Sequence, residues 1–114
     1  DVFAPCAMGG IINQQTLEAL RAPIIAGAAN NQLADASLAE ILRRKECLYA
    51  PDYAINAGGI IDVYYGRSGG SAGQLKAHIE GIGATLEQIF QRAAASGQTT
   101  VEVADRLAEE RFGR

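Results

Sequence analysis

Residues 23–32 read PIIAGAANNQ, an apolar run from Pro23 to Ala28 that passes directly into small residues and side-chain amides. The run lacks the every-second-residue alternation of a strand with one wet face, so it reads as a strand buried on both sides. Its neighbours repeat the plan. Asp1–Pro5 (DVFAP) is a short strand closed by its proline, and Cys47–Pro51 (CLYAP) is a third. The intervening segments are helical. Asn13–Leu20 forms one short helix, and a second begins at Ser37, where Ser37 and Glu40 have the spacing of a capping box. Leu38, Ile41 and Leu42 form its buried stripe, and Arg43, Arg44 and Lys45 suit the negative end of its dipole. Strand and helix alternate, which predicts an α/β fold of three parallel strands joined by crossover helices. Parallel sheets are stable when both faces and both edges are covered, and here the first strand starts at the terminus with one edge bare. The pattern is therefore half of a doubly wound sheet, expected to self-associate through that edge as a homo-oligomer.

The C-terminal half has a different texture. The glycine-rich stretch 66–73 (GRSGGSAG) predicts a mobile link. After it, Leu75, Ile79, Ile82, Leu86, Ile89 and Phe90 recur at spacings of three and four, which is one long amphipathic helix. Gly97 is suited to its left-handed cap. Thr99 and Glu102 then open a final helix that turns Ala104, Leu107 and Ala108 inward. The chain opens on Asp1, without methionine, straight into a strand, as the middle of a longer polypeptide would.

The sequence has 114 residues, enough for one small domain, with 48% hydrophobic and 20% charged residues, the balance of a folding chain. Ten basic against thirteen acidic residues leave a net charge of −3, which argues against nucleic acid or an anionic membrane as the partner. Apolar runs are too short to span a bilayer, and no signal-peptide pattern opens the chain. Cys6 and Cys47 fall in different elements and form no metal cluster; they read as reduced thiols of a cytoplasmic protein.

In open α/β sheets, ligands gather at the carboxyl ends of the strands. Each predicted strand ends there in small residues with polar tips: Ala4–Gly10, Ala26–Gln32 and Ala50–Gly59. Small side chains let a flat ligand approach the backbone, and asparagine amides offer donors and acceptors for ribose hydroxyls or a carboxamide. Ala57-Gly58-Gly59 opens a helix whose free N–H groups face the same crevice. Any one segment alone is an ordinary turn; three in succession point to a ligand. The remaining residues read more plainly. His78 has no partner to orient it and belongs on the surface, Lys45 and Lys76 are solvated, and Tyr64 and Tyr65 pack at a domain boundary. Asp52 either caps the backbone after the third strand or meets ligand. Cys6, with no histidine beside it, is a small contact to cofactor and not a nucleophile.

Four motifs carry a resemblance over nearly the whole chain: DVFAPCAMGG at 1–10, IIAGAANNQL at 24–33, YAPDYAINAGG at 49–59 and ADRLAEERF at 104–112. Together they resemble the Glu/Leu/Phe/Val dehydrogenase family, in its leucine, valine and phenylalanine branch. The resemblance implies the C-terminal half of an NAD-binding Rossmann domain with its terminal helices, spanning residues 1–114. It also implies an activity for the intact enzyme: oxidative deamination of an L-amino acid to its 2-oxo acid, with hydride passed to NAD. By position, Cys6 and Ala7 resemble the segment lining the dinucleotide near its ribose and nicotinamide. Asn30, or Asn31 beside it, resembles the asparagine between nicotinamide and substrate, and Asn56 resembles the nicotinamide-ribose contact. The family's GxGxxG fingerprint, catalytic lysines and acid/base aspartate have no counterpart here, so no catalytic residue is expected in this chain. GIGA at 81–84 lies within a helix and does not substitute for the fingerprint. The alternative is a non-catalytic α/β module for binding or assembly.

Overall fold

A computed structural model describes residues 1–113. Three parallel strands, β1 (Val2–Phe3), β2 (Ile24–Ile25) and β3 (Leu48–Tyr49), lie side by side in the order β1-β2-β3. Val2 pairs with Ile24 and Ile24 with Leu48; Phe3, Ile25 and Tyr49 form the next row. α1 (Gln14–Ala19) joins β1 to β2, and α2 (Leu38–Arg44) joins β2 to β3. This is the α/β arrangement expected of the alternating pattern. The strands are shorter than the apolar runs that signal them, although hydrogen bonds such as Ala26 N to Phe3 O (3.0 Å) and Ala50 N to Ile25 O (2.9 Å) continue just past them. A further parallel bridge, Ile12 with Leu33, ties the chain beyond the first two strands and has no clear signal in the sequence.

One core lies around the sheet. Ile25 in the central strand is wholly buried and packs with Ile12, Leu17, Leu38, Leu42, Cys47 and Tyr49. Burying a side chain such as Ile25 or Leu42 stabilises the fold by about 1.5–3 kcal/mol. α1 is held at both ends. Asn13 and Thr16 exchange side-chain and backbone hydrogen bonds in a capping box, and Lys45 Nζ donates to Leu17 O at 2.7 Å. Lys45 is thus not simply solvated: its ammonium serves the carbonyl end of another helix.

The start of α2 differs from expectation. Ser37 has helical backbone angles and makes no cap, because the Asp35 carboxylate takes both its backbone N–H (2.8 Å) and its hydroxyl. Glu40 turns outward to Arg43 and Arg44. Those two guanidinium groups hold the Glu40 carboxyl down at about 2, with the Arg43 hydrogen bonds the leading cause.

After β3 come the short α3 (Asp52–Ile55), α4 (Gly58–Ser68), the long α5 (Ala72–Ser96) and α6 (Thr100–Phe112). The expected mobile link at 66–73 is largely helical. α4 runs through Ser68, Gly69 closes it at φ +73°, and Ser71 caps α5 with Gln74 in return. Gly70 is pressed against the Tyr65 ring, where a Cβ would come within 2.2 Å of Cδ1. Glycine here makes a tight corner between two helices instead of slack. Gly97 ends α5 in the left-handed conformation, and Thr99 and Glu102 form the capping box of α6, both as the spacing predicts. Gly81 and Gly83 lie inside α5.

The second core joins α5 and α6 through Ile89, Ala93, Val103, Ala104 and Leu107, with Ala54 and Phe90 against it; Ala108 is half-buried. The apolar stripe of α5 is buried only in its later turns, since Leu75 is half-buried and Ile79 exposed. His78 is exposed and meets Tyr65 edge-on at 5.7 Å, while Tyr65 meets the exposed Tyr64 in the same way. Tyr53 fastens α3 to α6 by donating to Asp105 Oδ1 at 2.7 Å.

Two outcomes follow for stability. Tyr49 and Tyr53 are both pushed above the ordinary tyrosine range, Tyr49 to about 12, chiefly by burial, and Tyr53 by burial and then the Asp105 carboxylate. Their protonated forms are favoured by folding, so their contribution is whole below about pH 10 and declines as pH rises toward and beyond 12. Melting temperature should therefore fall over that alkaline window, and Tyr53→Phe should flatten the fall. Separately, a Cβ on Gly27 would lie 2.2 Å from Pro5 O, whereas one on Gly58 meets nothing within 4 Å. Urea titration should show Gly27→Ala losing about 1–3 kcal/mol and Gly58→Ala losing little.

Candidate functional site

The parallel sheet puts all three strand ends on one side, and the segments that leave them are in contact. The first and second segments touch through backbone. Gly27 passes over Pro5 at a distance that excludes any side chain, and Ala29 N donates to Pro5 O at 2.9 Å. Gly10, at φ +68°, donates its N–H to Asn31 O at 2.7 Å. A Cβ on Gly9 would stand 2.9 Å from Asn30 O, so the approach of these two loops also depends on small residues. Cys6 and Ala7 follow Pro5 directly and are both exposed.

The second and third segments touch through side chains. Asn56 ends α3, and its Nδ2 donates to Asn30 Oδ1 at 2.5 Å, with Ala28 O 3.5 Å away. Asn30, not Asn31, is therefore the member of the pair that meets Asn56. Asn31 sits at φ +52°, with its Cβ on the side of Gly9. Just beyond Asn56, Gly58 and Gly59 open the 11-residue α4, whose first turn carries no side-chain cap. Neither glycine has a heavy atom within 4 Å of where a Cβ would stand, so that end of the helix faces open space.

Asn30, Asn56, Cys6 and Ala7 thus belong to adjoining loops at one end of the sheet. Asp52 caps: Oδ1 accepts from Tyr53 N at 2.9 Å and Oδ2 from Gln32 N at 3.2 Å. Gln32 is the important residue that pattern reading passes over. It is wholly buried, and its Nε2 donates to Gly27 O (2.8 Å) and Ala29 O (2.9 Å). A glutamine that follows two asparagines on a strand-end turn was its only sequence signal.

The exposed surface of these loops is almost free of charge. Asp52 is buried and turned toward Gln32 and Tyr53. Among the described residues, no three His, Cys, Asp or Glu side chains are grouped to hold a metal ion. Such a surface can orient a ligand by hydrogen bonding. The Asn30–Asn56 bond leaves Asn30 Nδ2 with donors and Asn56 Oδ1 with an acceptor, the complement of a primary carboxamide. Cys47 is buried, and burial pushes its thiol up from the ordinary range, so it is unsuited to nucleophilic work.

Residues 1–109 match the profile of the family described as Glutamate/Leucine/Phenylalanine/Valine dehydrogenase. The chain is 49% identical over 113 residues to L-tryptophan dehydrogenase of Nostoc punctiforme, covering 98% of this chain and 32% of that one. It is 43% identical to leucine dehydrogenase of Thermoactinomyces intermedius and 44% to phenylalanine dehydrogenase of Caldalkalibacillus thermarum, again over 98% of this chain and 31% and 30% of theirs. The crystal structure of the Nostoc L-tryptophan dehydrogenase superposes with a TM-score of 0.94 at 48% identity, covering 99% of this chain and 34% of that one. The chain spans about a third of the length of the relatives it matches. On fold, motif order and identity together, it belongs to the Glutamate/Leucine/Phenylalanine/Valine dehydrogenase family.

Proposed function

We propose that this chain is the C-terminal half of the NAD-binding Rossmann domain of an L-amino-acid dehydrogenase, supplying the nicotinamide side of the cofactor site. The whole enzyme would oxidise an aliphatic or aromatic L-amino acid to its 2-oxo acid and release ammonia, with NAD as hydride acceptor. The observation that carries the reading is the hydrogen bond between Asn56 and Asn30, from loops 26 residues apart in sequence. It leaves the Asn30 N–H donors and the Asn56 amide oxygen free of each other, available to a nicotinamide carboxamide. Cys6 and Ala7, small and exposed on the next loop, form the wall toward the ribose. NAD supplies the hydride-accepting ring when bound. This chain's residues orient that ring and keep bulky side chains away from it, which is where positional catalysis gains its rate.

The same reading accounts for what lies open. β1 has a partner only in β2 among the described residues, Val2 is 56% exposed, and a hollow of about 440 Å³ lies beside it, lined by Val2, Phe3, Ile11, Leu17 and Leu20. In the whole enzyme, this face is covered by the rest of the sheet. Without that cover it is a template for a second copy.

Titration of the ¹⁵N-labelled chain with nicotinamide mononucleotide should move the side-chain amides of Asn30 and Asn56 and the backbone amides of Cys6 and Ala7. The amides of α6 should stay still. Shifts confined to α5 and α6 would refute the site. The chain assayed alone with NAD and L-leucine, L-phenylalanine or L-tryptophan should show no turnover, and measurable turnover would contradict the division of labour proposed. Sedimentation velocity should show dimers or larger species at high concentration; a clean monomer would count against pairing through β1.

A further inference from the structure

Gln32 is bonded to the second and third strand-end segments and to the chain just beyond the first. Its backbone O accepts from Ile12 N at 3.0 Å, just past the first segment. Its side-chain Nε2 donates to Gly27 O and Ala29 O within the second. Its backbone N donates to Asp52 Oδ2 at the start of the third. One nitrogen serves two carbonyls, which a methionine or a carboxylate of the same length cannot do, since neither offers an N–H. The opposite amide orientation would set Oε1 against two carbonyl oxygens, so the hydrogen bonds dictate which way it points. Oε1 is buried without a donor among the described residues. An unsatisfied buried acceptor is a cost, accepted here so that both protons reach the turn.

Asp52 completes the link. One carboxylate oxygen takes Gln32 N and the other takes the first free N–H of α3. Asn30 stands two residues before Gln32, and Asn56 four residues after Asp52. The Gln32–Asp52 bond therefore sets the separation of the two loops that carry the asparagine pair. Neither residue is on the open surface, since Gln32 is wholly buried and Asp52 is 9% exposed.

We infer that Gln32 and Asp52 are positioning residues for dinucleotide binding, which fix the Asn30–Asn56 gap and touch no ligand themselves. The inference rests on the nicotinamide reading of that pair. The test uses the ¹⁵N-labelled chain with Gln32→Glu and Asp52→Asn, and with Ser71→Ala, which removes the cap at the start of α5, as a destabilised variant outside the loops. Two quantities are read well below each melting temperature: the ligand-free position of the Asn56 side-chain amide, and the Kd for nicotinamide mononucleotide. The clamp variants should displace the Asn56 amide toward the position of a free amide and weaken binding about tenfold, the worth of one hydrogen bond's geometry. Ser71→Ala should lower the melting temperature through the lost cap and leave both readings unchanged. Should Gln32→Glu fail to fold, Asp52→Asn carries the test, because it keeps the volume and one acceptor oxygen. An unmoved Asn56 amide in a folded clamp variant, or an equal loss of affinity in Ser71→Ala, would overturn the inference. If nicotinamide mononucleotide leaves the unsubstituted chain unaffected while the clamp variants still displace the Asn56 amide, the ligand reading falls and the geometric clamp stands.

Discussion

The turn end of the molecule depends on a parallel register only two rows deep, Val2–Ile24–Leu48 and Phe3–Ile25–Tyr49. Parallel pairing puts every carboxyl end on the same side, and so brings loops from residues 4–10, 26–32 and 50–59 together. So few ladder bonds cannot by themselves hold three loops in place. The additional hold comes from close backbone approach at Gly27 and Pro5, from the Gly10–Asn31 bond and from the four hydrogen bonds that meet at Gln32. Sheet and loops therefore stabilise each other. The loops extend a short ladder, and the ladder aligns the loops.

The chemical character of the exposed loops follows from that packing. Loops that approach this closely must be built from glycine and alanine, which leaves little room for charged side chains. The polar groups that remain include the amides of Asn30 and Asn56, bonded to each other, the exposed amide of Asn31, and a glutamine and an aspartate facing inward. This division suits a cofactor wall: inward groups set the shape, outward groups meet the ligand. The relatives that the chain matches are about three times as long.

Much of the architecture was legible because it rests on local rules. The three apolar runs, the three-and-four spacing from Leu75 to Phe90, the left-handed Gly97 and the Thr99–Glu102 box all reappear. Asn30 and Asn56 were legible as amides at strand ends. The failures have identifiable competitors. Asp35 takes the hydroxyl that Ser37 would need for capping. Gly69 and Ser71 serve as helix caps, so a glycine-rich stretch that looks slack becomes a corner. Lys45 reaches a carbonyl of α1 that only tertiary packing brings near. Gln32 was the largest omission. A polar residue that is buried to serve backbone carbonyls has no periodicity, and its role appears only when both loops are seen together.

The central claim is that the loops after β1, β2 and β3 form a single wall for the nicotinamide. A crystal structure of the full-length protein with NAD bound tests it most directly. The account predicts the carboxamide within hydrogen-bonding distance, about 3 Å, of Asn30 or Asn56, with Cys6 or Ala7 in contact with the adjoining ribose. A nicotinamide bound elsewhere, with these loops empty or facing bulk solvent, would contradict it.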